Sequence, residues 1–459
     1  MLYMFDQIPE LEKQWENMLQ ELQELIAIPS IAAQNKGSDK AINLLSQLFK
    51  QAGASVEVLT EHRGFPVLSV LFEAGPEGDS EKTLLFYNHY DVQPADPIEE
   101  WNSEPFRLTE TEELLIGRGI GDNKGDIIAR LTAVKLLKEE LGYSPCRIKF
   151  LIEGEEEIGS PSLAACLEQY QEHFASDVCV WEFGNKDENE RLNVVAGLKG
   201  MAYFELSVQT SESDIHSSQG VFIDNAAWRL THALTTLRDS NGQVLIKGFY
   251  DDIIKATEQE IATAASLPFD GEEIKARLGL KQPFLSERRG TNPNYDKAYE
   301  PTVNLCGITS GYSGEGAKAV LPYKAAAKVD FRLVPGQDPD KISKLLRKHL
   351  DDNGFEDVVI NQLNGQRAYR SNPSDPFVDM VLDTAAEVYE NPPLLIPTHP
   401  GSGPMYEIGH LLKVPIISTG IGWIGSNYHA PNESIRKADM VEGIIHIKEI
   451  IKRFSGEVK

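Results

Sequence analysis

Residues 83–91 read TLLFYNHYD, an apolar run of strand type that ends in polar side chains. Further along the chain, residues 125–141 (GDIIARLTAVKLLKEEL) have apolar residues at helical spacing, and residues 148–153 (IKFLIE) form a second strand-like run. Strand and helix patterns alternate in this way from about residue 40 to residue 177. The alternation predicts an α/β domain built around a central sheet.

A different pattern occupies the middle of the chain. Residues 201–209 alternate in polarity like a half-buried strand, and residues 225–237 are typical of an amphipathic helix. Two strands, a helix and a last strand follow, which completes the β-α-β-β-α-β order of a small α+β domain. The α/β style then returns. We therefore predict one domain inserted into another, with the insert at residues 199–366 and the outer domain at residues 1–198 and 367–459.

The composition excludes several classes of protein. The 459 residues include 70 acidic and 44 basic side chains, a formal net charge of −26. A nucleic-acid partner is not expected, because phosphate binding needs clustered Lys and Arg. The chain is 41% hydrophobic and 25% charged, as is usual for folded globular proteins. Its four cysteines lack CxxC spacing, which argues against a disulfide framework or thiolate zinc site and favours a reducing compartment.

The N-terminal stretch 1–29 does not resemble a targeting signal. It is acidic, it lacks a basic segment and a long apolar run, and its apolar residues recur at helical spacing. No part of the chain approaches the roughly 20 apolar residues that a membrane span requires. We therefore expect a cytoplasmic protein without a membrane partner.

Acids and histidines cluster where predicted strands end and a helix begins. His89 and Asp91 come after the strand of residues 83–87 and lie two positions apart, on one face. Asp122 stands in the glycine-rich turn GRGIGDNKG (117–125), directly before a helix. Glu156 and Glu157 belong to EGEEEIGS (153–160), which follows the next strand. Strand-end clusters of this kind are candidates for metal binding.

Each motif also has a plainer interpretation. These are a polar strand end, a helix cap and a solvated acidic loop. The glycine turn matches neither GxGxxG nor GxxxxGK[ST], so nucleotide binding is not supported. Clustered acids repel one another unless a cation lies among them, and adjacent Glu156 and Glu157 could divide the roles of general base and metal ligand. Two more histidines, His216 in DIHSS (214–218) and His429 in YHAPNE (428–433), could each be an ordinary surface residue.

Taken in order along the chain, these motifs resemble the M20 family of metallopeptidases. The resemblance includes the His-x-Asp strand, the Gly-Arg-Gly turn with Asp-x-Lys-Gly, Glu-Glu-x-Gly-Ser, Asp-x-His-Ser and the late His-x-Pro-Asn-Glu. It implies a mixed-sheet, zinc-peptidase-like catalytic domain formed by residues 1–198 and 367–459. The insert at 199–366 would be an α+β lid and dimerisation domain.

The resemblance further implies two divalent metal ions per subunit. Zinc is the first candidate, and manganese or cobalt are alternatives, since oxygen-rich ligand sets also suit manganese. Asp122 would bridge the two ions. His89 and Glu182 would complete one site, and Glu157 and His429 would complete the other.

The remaining implied roles concern catalysis and substrate binding. Glu156 would be the general base that takes a proton from a water shared by the metals, and the resulting hydroxide would attack the amide carbonyl. Asp91 would orient His89. His216, supplied by the partner subunit of a homodimer, would stabilise the oxyanion and contact the substrate. Arg332 would grip the free carboxylate of the substrate, and Ser402 would lie near it. Alone, these last two residues would suggest a strand-surface salt bridge and a turn.

Two departures from the dipeptidase pattern affect the specificity pocket. Ala319 stands where a hydroxyl is usual, and THP (398–400) replaces an Arg-Glu-Gly. We predict an amide hydrolase for dipeptides or short peptides with a free C-terminal carboxylate. The alternatives are an N-acyl or N-carbamoyl amino-acid amidohydrolase and, more remotely, a non-catalytic dimeric binding protein; the presence of Glu156 counts against the last.

Overall fold

The computed structural model describes residues 9–457, which fall into two compact units. Among the described residues, the first unit comprises 9–197, 370–397 and 404–457, and the second comprises 198–369 and 398–403. Residues 398–403 belong to the predicted outer domain, but in the structure they pack with the second unit. The first eight and last two residues of the predicted outer segments lie outside the described residues.

The described residues include 21 β-strands. The first ten are β1 (Ser55–Leu59), β2 (Val67–Phe72), β3 (Asp79–His89), β4 (Thr109–Glu110), β5 (Leu114–Ile116), β6 (Cys146–Glu153), β7 (Val178–Trp181), β8 (Asn185–Lys186), β9 (Asn193–Val195) and β10 (Gly197–Leu198). The others are β11 (Gly200–Gln209), β12 (Ile215–His216), β13 (Thr302–Ser310), β14 (Val320–Leu321), β15 (Lys324–Leu333), β16 (Val359–Gln366), β17 (Tyr369–Arg370), β18 (Leu394–Ile396), β19 (Ile416–Ser418), β20 (Gly422–Trp423) and β21 (Ser434–Arg436).

Helices alternate with these strands. They are α1 (Pro9–Ile26), α2 (Ser38–Gln51), α3 (Lys124–Leu141), α4 (Leu163–Gln169), α5 (Gln171–Phe174), α6 (Ala226–Thr235), α7 (Glu258–Ser266), α8 (Gly271–Leu278), α9 (Leu285–Arg289), α10 (Pro293–Tyr299), α11 (Pro339–Asp352), α12 (Pro376–Val388), α13 (Met405–Leu412) and α14 (Lys437–Ser455). Among the described residues, no helix combines the length and apolar character needed to cross a membrane.

An eight-stranded mixed sheet forms the centre of the first unit. Its strand order is β1-β2-β6-β3-β7-β19-β9-β18. In the middle, β3 runs parallel to both β6 and β7, and β19 runs parallel to β7. The apolar run 84–87 in β3 is buried on both faces, as expected for a central parallel strand. The predicted mixed-sheet α/β fold is confirmed.

The parallel strands determine where the polar strand ends lie. Carboxyl ends of adjacent parallel strands meet at one edge of a sheet, which is where α/β proteins form their sites. His89 ends β3, Glu153 ends β6, and Glu182 directly follows β7. Helix α3 begins beside them and is buried along most of its length, so its first residues are fixed against the sheet. The fold therefore brings these candidate residues to one edge.

The second unit contains a four-stranded antiparallel sheet in the order β13-β15-β11-β16. In β11, residues 202, 204, 206 and 208 are buried and alternate with more exposed ones, which is the predicted two-residue period. The buried face contacts α6 and α11, whose N-caps Asn225 and Asp338 accept backbone N–H bonds. The predicted α+β architecture of the insert is confirmed.

The buried histidine His446 makes stability depend on acidity. It lies on α14 in the first unit, with Nε2 3.2 Å from Thr384 Oγ1 and 3.3 Å from the carbonyl of Val381. Burial lowers the pKa of His446 to about 4. Above pH 6.5 the imidazole is neutral in both the folded and unfolded chain. As the pH falls from 6.5 to 4, the unfolded chain binds the proton first, so this residue destabilises the fold by up to about 3 kcal/mol.

We therefore expect His446→Gln to flatten the loss of unfolding free energy between pH 6.5 and pH 4, although it lowers stability at neutral pH. Urea unfolding at several pH values measures this slope. The matched control is His410→Gln, because His410 is an exposed residue of α13. An unchanged slope in the His446 variant would contradict the prediction.

Candidate metal centre and active site

Six of the predicted side chains form two adjacent groups in the first unit. One group contains His89, Glu156 and Glu182, and the other contains Asp122, Glu157 and His429. Within each group, one candidate ligand atom from every residue lies within 4.8 Å of the others. Residues that are far apart along the chain are therefore close enough to share a cation.

Asp122 lies between the two groups. Its Oδ1 is 2.9 Å from His89 Nε2, and its Oδ2 is 3.0 Å from His429 Nε2. On either side, His89 Nε2 is 3.2 Å from Glu182 Oε2, and His429 Nε2 is 3.2 Å from Glu157 Oε2. The arrangement is two histidine–carboxylate pairs that share one central carboxylate.

Asp91 connects His89 to the segment that carries Glu156 and Glu157. His89 Nδ1 donates to the carbonyl of Asp91 at 3.0 Å and lies 3.3 Å from its carboxylate. That carboxylate accepts the backbone N–H groups of Glu156 and Glu157 at 3.2 and 3.1 Å. Asp91 therefore contacts both the imidazole of His89 and the short 3-10 turn that carries the two glutamates. Such contacts fix the tautomer and orientation of a ligand.

The pKa values in the cluster are shifted because several buried carboxylates lie close together. Burial, reinforced by neighbouring carboxylates, raises the pKa of Glu156 and of Glu157, and it raises that of Glu182 to about 8. Burial alone would raise the pKa of Asp122, but hydrogen bonds from His429 and His89 hold it well below its usual value. Hydrogen bonds to Asp122 and Glu157 raise the pKa of His429 to about 10. Bound cations would relieve this repulsion.

The donor set fits divalent metal ions. One buried carboxylate oxygen, Glu157 Oε1, has no hydrogen-bond partner among the described residues. An unpartnered buried carboxylate oxygen is costly unless it is paired or coordinates a metal. Imidazole and carboxylate together are ligands used by zinc, and the oxygen-rich set also suits manganese.

The predicted substrate residues lie in the second unit. Arg332, on β15, donates from Nε to Asp330 Oδ2 at 3.0 Å and from Nη1 to Ser402 Oγ at 2.9 Å. Arg332 and Ser402 are thus direct neighbours, although 70 positions separate them. His216, at the end of β12, is exposed, and its Nδ1 accepts the backbone N–H of Ser218 at 3.2 Å.

Residues 85–453 match the family model described as peptidase family M20/M25/M40. The chain belongs to this family. The predicted resemblance is therefore confirmed, and so is the assignment to a family of hydrolases.

Several characterised proteins are similar to this M20 peptidase. Beta-Ala-His dipeptidase of Homo sapiens is 29% identical over 396 residues, which cover 84% of this chain and 77% of that protein. Cys-Gly metallodipeptidase dug1 of Schizosaccharomyces pombe is 26% identical over 460 residues, covering 95% and 94%. The crystal structure of an M20 family metallo-carboxypeptidase, Sso-CP2 from Sulfolobus solfataricus, matches with a TM-score of 0.86 and 35% identity, covering 95% of this chain and 99% of that one.

The site of this M20 peptidase includes residues that the sequence analysis gave no role. The carboxylate of Glu433 accepts the backbone N–H groups of Gly119, Gly121 and Asp122 at 2.8–3.0 Å. It also accepts a 2.7 Å bond from Arg118 Nη1. Glu433 thereby connects the turn of Asp122 to the loop of His429. The quoted motif YHAPNE contained this residue, but its partners lie more than 300 positions away.

Gln93 is a second such residue. Its Nε2 donates to Glu157 Oε2 at 2.9 Å and to the carbonyl of Glu157 at 3.3 Å. Its position two residues after Asp91, in the continuation of the His-x-Asp run, was the available signal. A glutamine has no distinctive pattern in a sequence, so its role became visible only through its contacts.

Proposed function

We propose that this M20 peptidase hydrolyses the amide bond of dipeptides or short peptides that end in a free carboxylate, using two divalent metal ions per subunit. Zinc is the first candidate for the metal, with manganese or cobalt as alternatives. The observation that carries the proposal is the position of Asp122, whose two carboxylate oxygens each face one histidine–carboxylate pair. The names of the related dipeptidases support the class of substrate.

The ligand roles follow from this geometry. Asp122 would bind both ions, His89 and Glu182 would complete one site, and Glu157 and His429 would complete the other. When bound, two divalent ions supply Lewis acidity and lower the pKa of water at the site. The protein keeps the ligands in place through Asp91, Gln93 and Glu433, whose contacts were described above.

Glu156 is the proposed general base and acid. Burial and the neighbouring carboxylate of Glu182 raise the pKa of Glu156, so its carboxylate is suited to accept a proton. It would take a proton from the attacking water and return one to the leaving amine. The N–H of Glu156 donates to Asp91, which orients its short turn.

The carboxylate end of the substrate is assigned to Arg332. Its guanidinium is one-third exposed, so it can reach a substrate while Asp330 and Ser402 hold it in place. We expect Arg332→Met to lower kcat/KM for dipeptides by roughly 100-fold, because a charged hydrogen-bonded contact is lost.

The loss should be small for the same dipeptides with a C-terminal amide, which have no carboxylate to bind. Ser402→Ala is the matched variant, with a loss below about tenfold, since it removes a neutral hydroxyl and leaves the guanidinium of Arg332 in place. An equal loss with free and amidated substrates would contradict the role of Arg332.

We also propose that the protein is a homodimer through its inserted unit and that His216 acts in the active site of the partner. The support is the exposed position of His216 and the exposed apolar residues of the same unit, among them Val221, Phe222 and Trp228. Mixing inactive Glu156→Ala and His216→Ala chains under conditions of subunit exchange should restore about one quarter of wild-type activity, because half of the dimers are mixed and each has one complete site. An inactive mixture would contradict the proposal that His216 acts in the active site of the partner subunit.

A substrate panel tests the proposed function. Release of free amino acids from dipeptides is compared with release from N-acyl and N-carbamoyl amino acids, with metal analysis of the same sample. Dipeptide hydrolysis is the expected result. Hydrolysis of only the acylated amino acids would replace the proposal with the amidohydrolase alternative, which could use the same metals and Arg332.

The proposal includes a cytoplasmic location. All four cysteines are free thiols in the structure, and three of them are buried. Free thiols suit a reducing compartment. Fractionation of cells that produce the protein checks this, and recovery outside the cytoplasmic fraction would contradict it.

A further inference from the structure

The strand ends that carry His89 and Glu182 are not paired with each other by backbone hydrogen bonds of the sheet. The parallel pairing of β3 with β7 runs from Leu84↔Val178 to Phe86↔Val180. His89 lies three residues beyond this last pair, and Glu182 lies two residues beyond it. Another contact must therefore set the separation between these two side chains.

Arg130 makes that contact. It projects from α3, and its side chain is almost completely buried, with 1% of its surface exposed. Its Nη1 donates to the carbonyl of Tyr87 at 2.8 Å and to Asn88 Oδ1 at 2.9 Å. Its Nη2 donates to the carbonyl of Trp181 and, at 3.1 Å, to that of Thr419. One guanidinium thus binds the segments that immediately precede both His89 and Glu182, together with the end of the neighbouring strand β19.

Two asparagines extend this network to the ligands themselves. Asn88 Nδ2 donates to Asn123 Oδ1, and Asn123 Nδ2 donates to the carbonyl of Glu182 at 2.8 Å. Asn88 is therefore held at its oxygen by Arg130 and bonded through its nitrogen to Asn123, the residue next to Asp122. The network is buried, and its members are held by hydrogen bonds on several sides.

We propose that Arg130 is a positioning residue for the metal site formed by His89 and Glu182. The inference rests on the proposed dimetal function. A planar guanidinium can bind four acceptors on three strand ends at once, whereas a lysine ammonium has only three donors and no fork geometry. Burial of an arginine is costly unless its donors are paired, and here the paired groups are those that place two ligands of one metal ion.

The other site is held by different residues. Glu157 is bound by Asp91 and Gln93, and the loop of His429 is bound through Arg118, whose Nη2 donates to the carbonyl of Ala430 at 3.3 Å. Loss of Arg130 should therefore weaken the binding of the ion held by His89 and Glu182 and leave the binding of the other ion largely unchanged. A residue that only stabilised the fold would not distinguish between the two sites.

The test is titration of the metal-free full-length protein with Zn²⁺, followed by calorimetry and by metal analysis after dialysis. Wild type should bind two ions. Arg130→Met should retain one ion and bind the other on the order of 10–100-fold more weakly, the range seen when residues that orient ligands are changed. Arg130→Lys should lie between them, because it keeps the charge and part of the hydrogen bonding.

The matched control is Lys186→Met. Lys186 is also a buried cation of the first unit, paired with Asp439 at 2.9 Å and with Glu442, so its loss lowers stability without touching a ligand strand end. It should bind two ions with wild-type affinity. Normal binding of both ions by Arg130→Met, equal weakening of both, or the same selective loss in Lys186→Met would each overturn the inference.

Two outcomes are kept apart by this design. If Arg130→Met does not fold, Arg130→Lys carries the test: a measurable loss of affinity confined to one ion supports the inference, and wild-type affinity for both ions or an equal loss for both overturns it. If wild type itself binds fewer than two ions, the proposed dimetal function has failed. If wild type binds two ions and the Arg130 variants bind both with wild-type affinity, only the role of Arg130 has failed.

Discussion

Glu156→Ala should lower kcat by about 10²- to 10⁴-fold, the range contributed by a general acid–base group, while the protein still binds two metal ions. The reason is that Glu156 is proposed to move protons, whereas Glu157, its neighbour in sequence, is proposed to bind metal. Steady-state assays with a dipeptide, together with metal analysis of the same preparation, measure both effects.

The structure sharpens this test because Glu156 lies within the ligand group of His89 and Glu182. If Glu156 is a ligand instead of a base, the variant loses a metal ion along with activity. The control is Glu155→Ala, at another buried glutamate of the same segment, whose carboxylate bonds to Ser162 and to the N–H of Phe65 at 3.2 Å. That variant should lose stability but keep kcat. Full activity in Glu156→Ala would show that the proposed mechanism is wrong.

Asp122→Ala should abolish binding of both metal ions and bring activity below detection. The two carboxylate oxygens of Asp122 face different histidines, so its loss removes a ligand from each site and leaves the remaining acids to repel one another. Metal analysis after dialysis and the dipeptide assay measure the result.

The control for this prediction is His429→Ala, which removes a ligand from one site only. It should retain one ion, held by His89, Glu182 and Asp122. If Asp122→Ala also retained one ion at full affinity, Asp122 would not be a shared ligand. Circular dichroism of each variant shows whether the fold is intact, so that loss of metal can be separated from unfolding.

Much of the candidate site could be predicted because its residues stand at the ends of recognisable elements. His89 ends an apolar strand, Asp122 precedes a helix, and Glu156 and Glu157 follow the next strand. Periodicity indicated the strand ends, and the resemblance to the M20 family implied that their side chains form one site. The parallel pairing of β3 with β6 and β7 brings these ends to one edge of the sheet. Glu182 was the ligand least clear from the sequence, and the structure places its Oε2 3.2 Å from His89 Nε2.

The contacts of Arg130 and Glu433 could not be predicted from the sequence. Arg130 lies in a helix that is buried along most of its length, and a helical pattern does not reveal that one cation on it pairs with strand-end carbonyls. Glu433 appeared as one acid of a loop motif. Its value as an acceptor for three backbone N–H groups depends on a turn more than 300 residues earlier.

Local patterns in this chain were sufficient for the α/β class, the inserted α+β unit and the acidic strand ends, because strand and helix periods are properties of neighbouring residues. Only the folded chain revealed three features of the site. Asp122 pairs with His429, the pairing of β3 with β7 ends before His89 and Glu182, and the guanidinium of Arg130 connects the segments that precede these two residues. These features depend on which distant segments pack together, and that packing is set by the core as a whole rather than by any one segment.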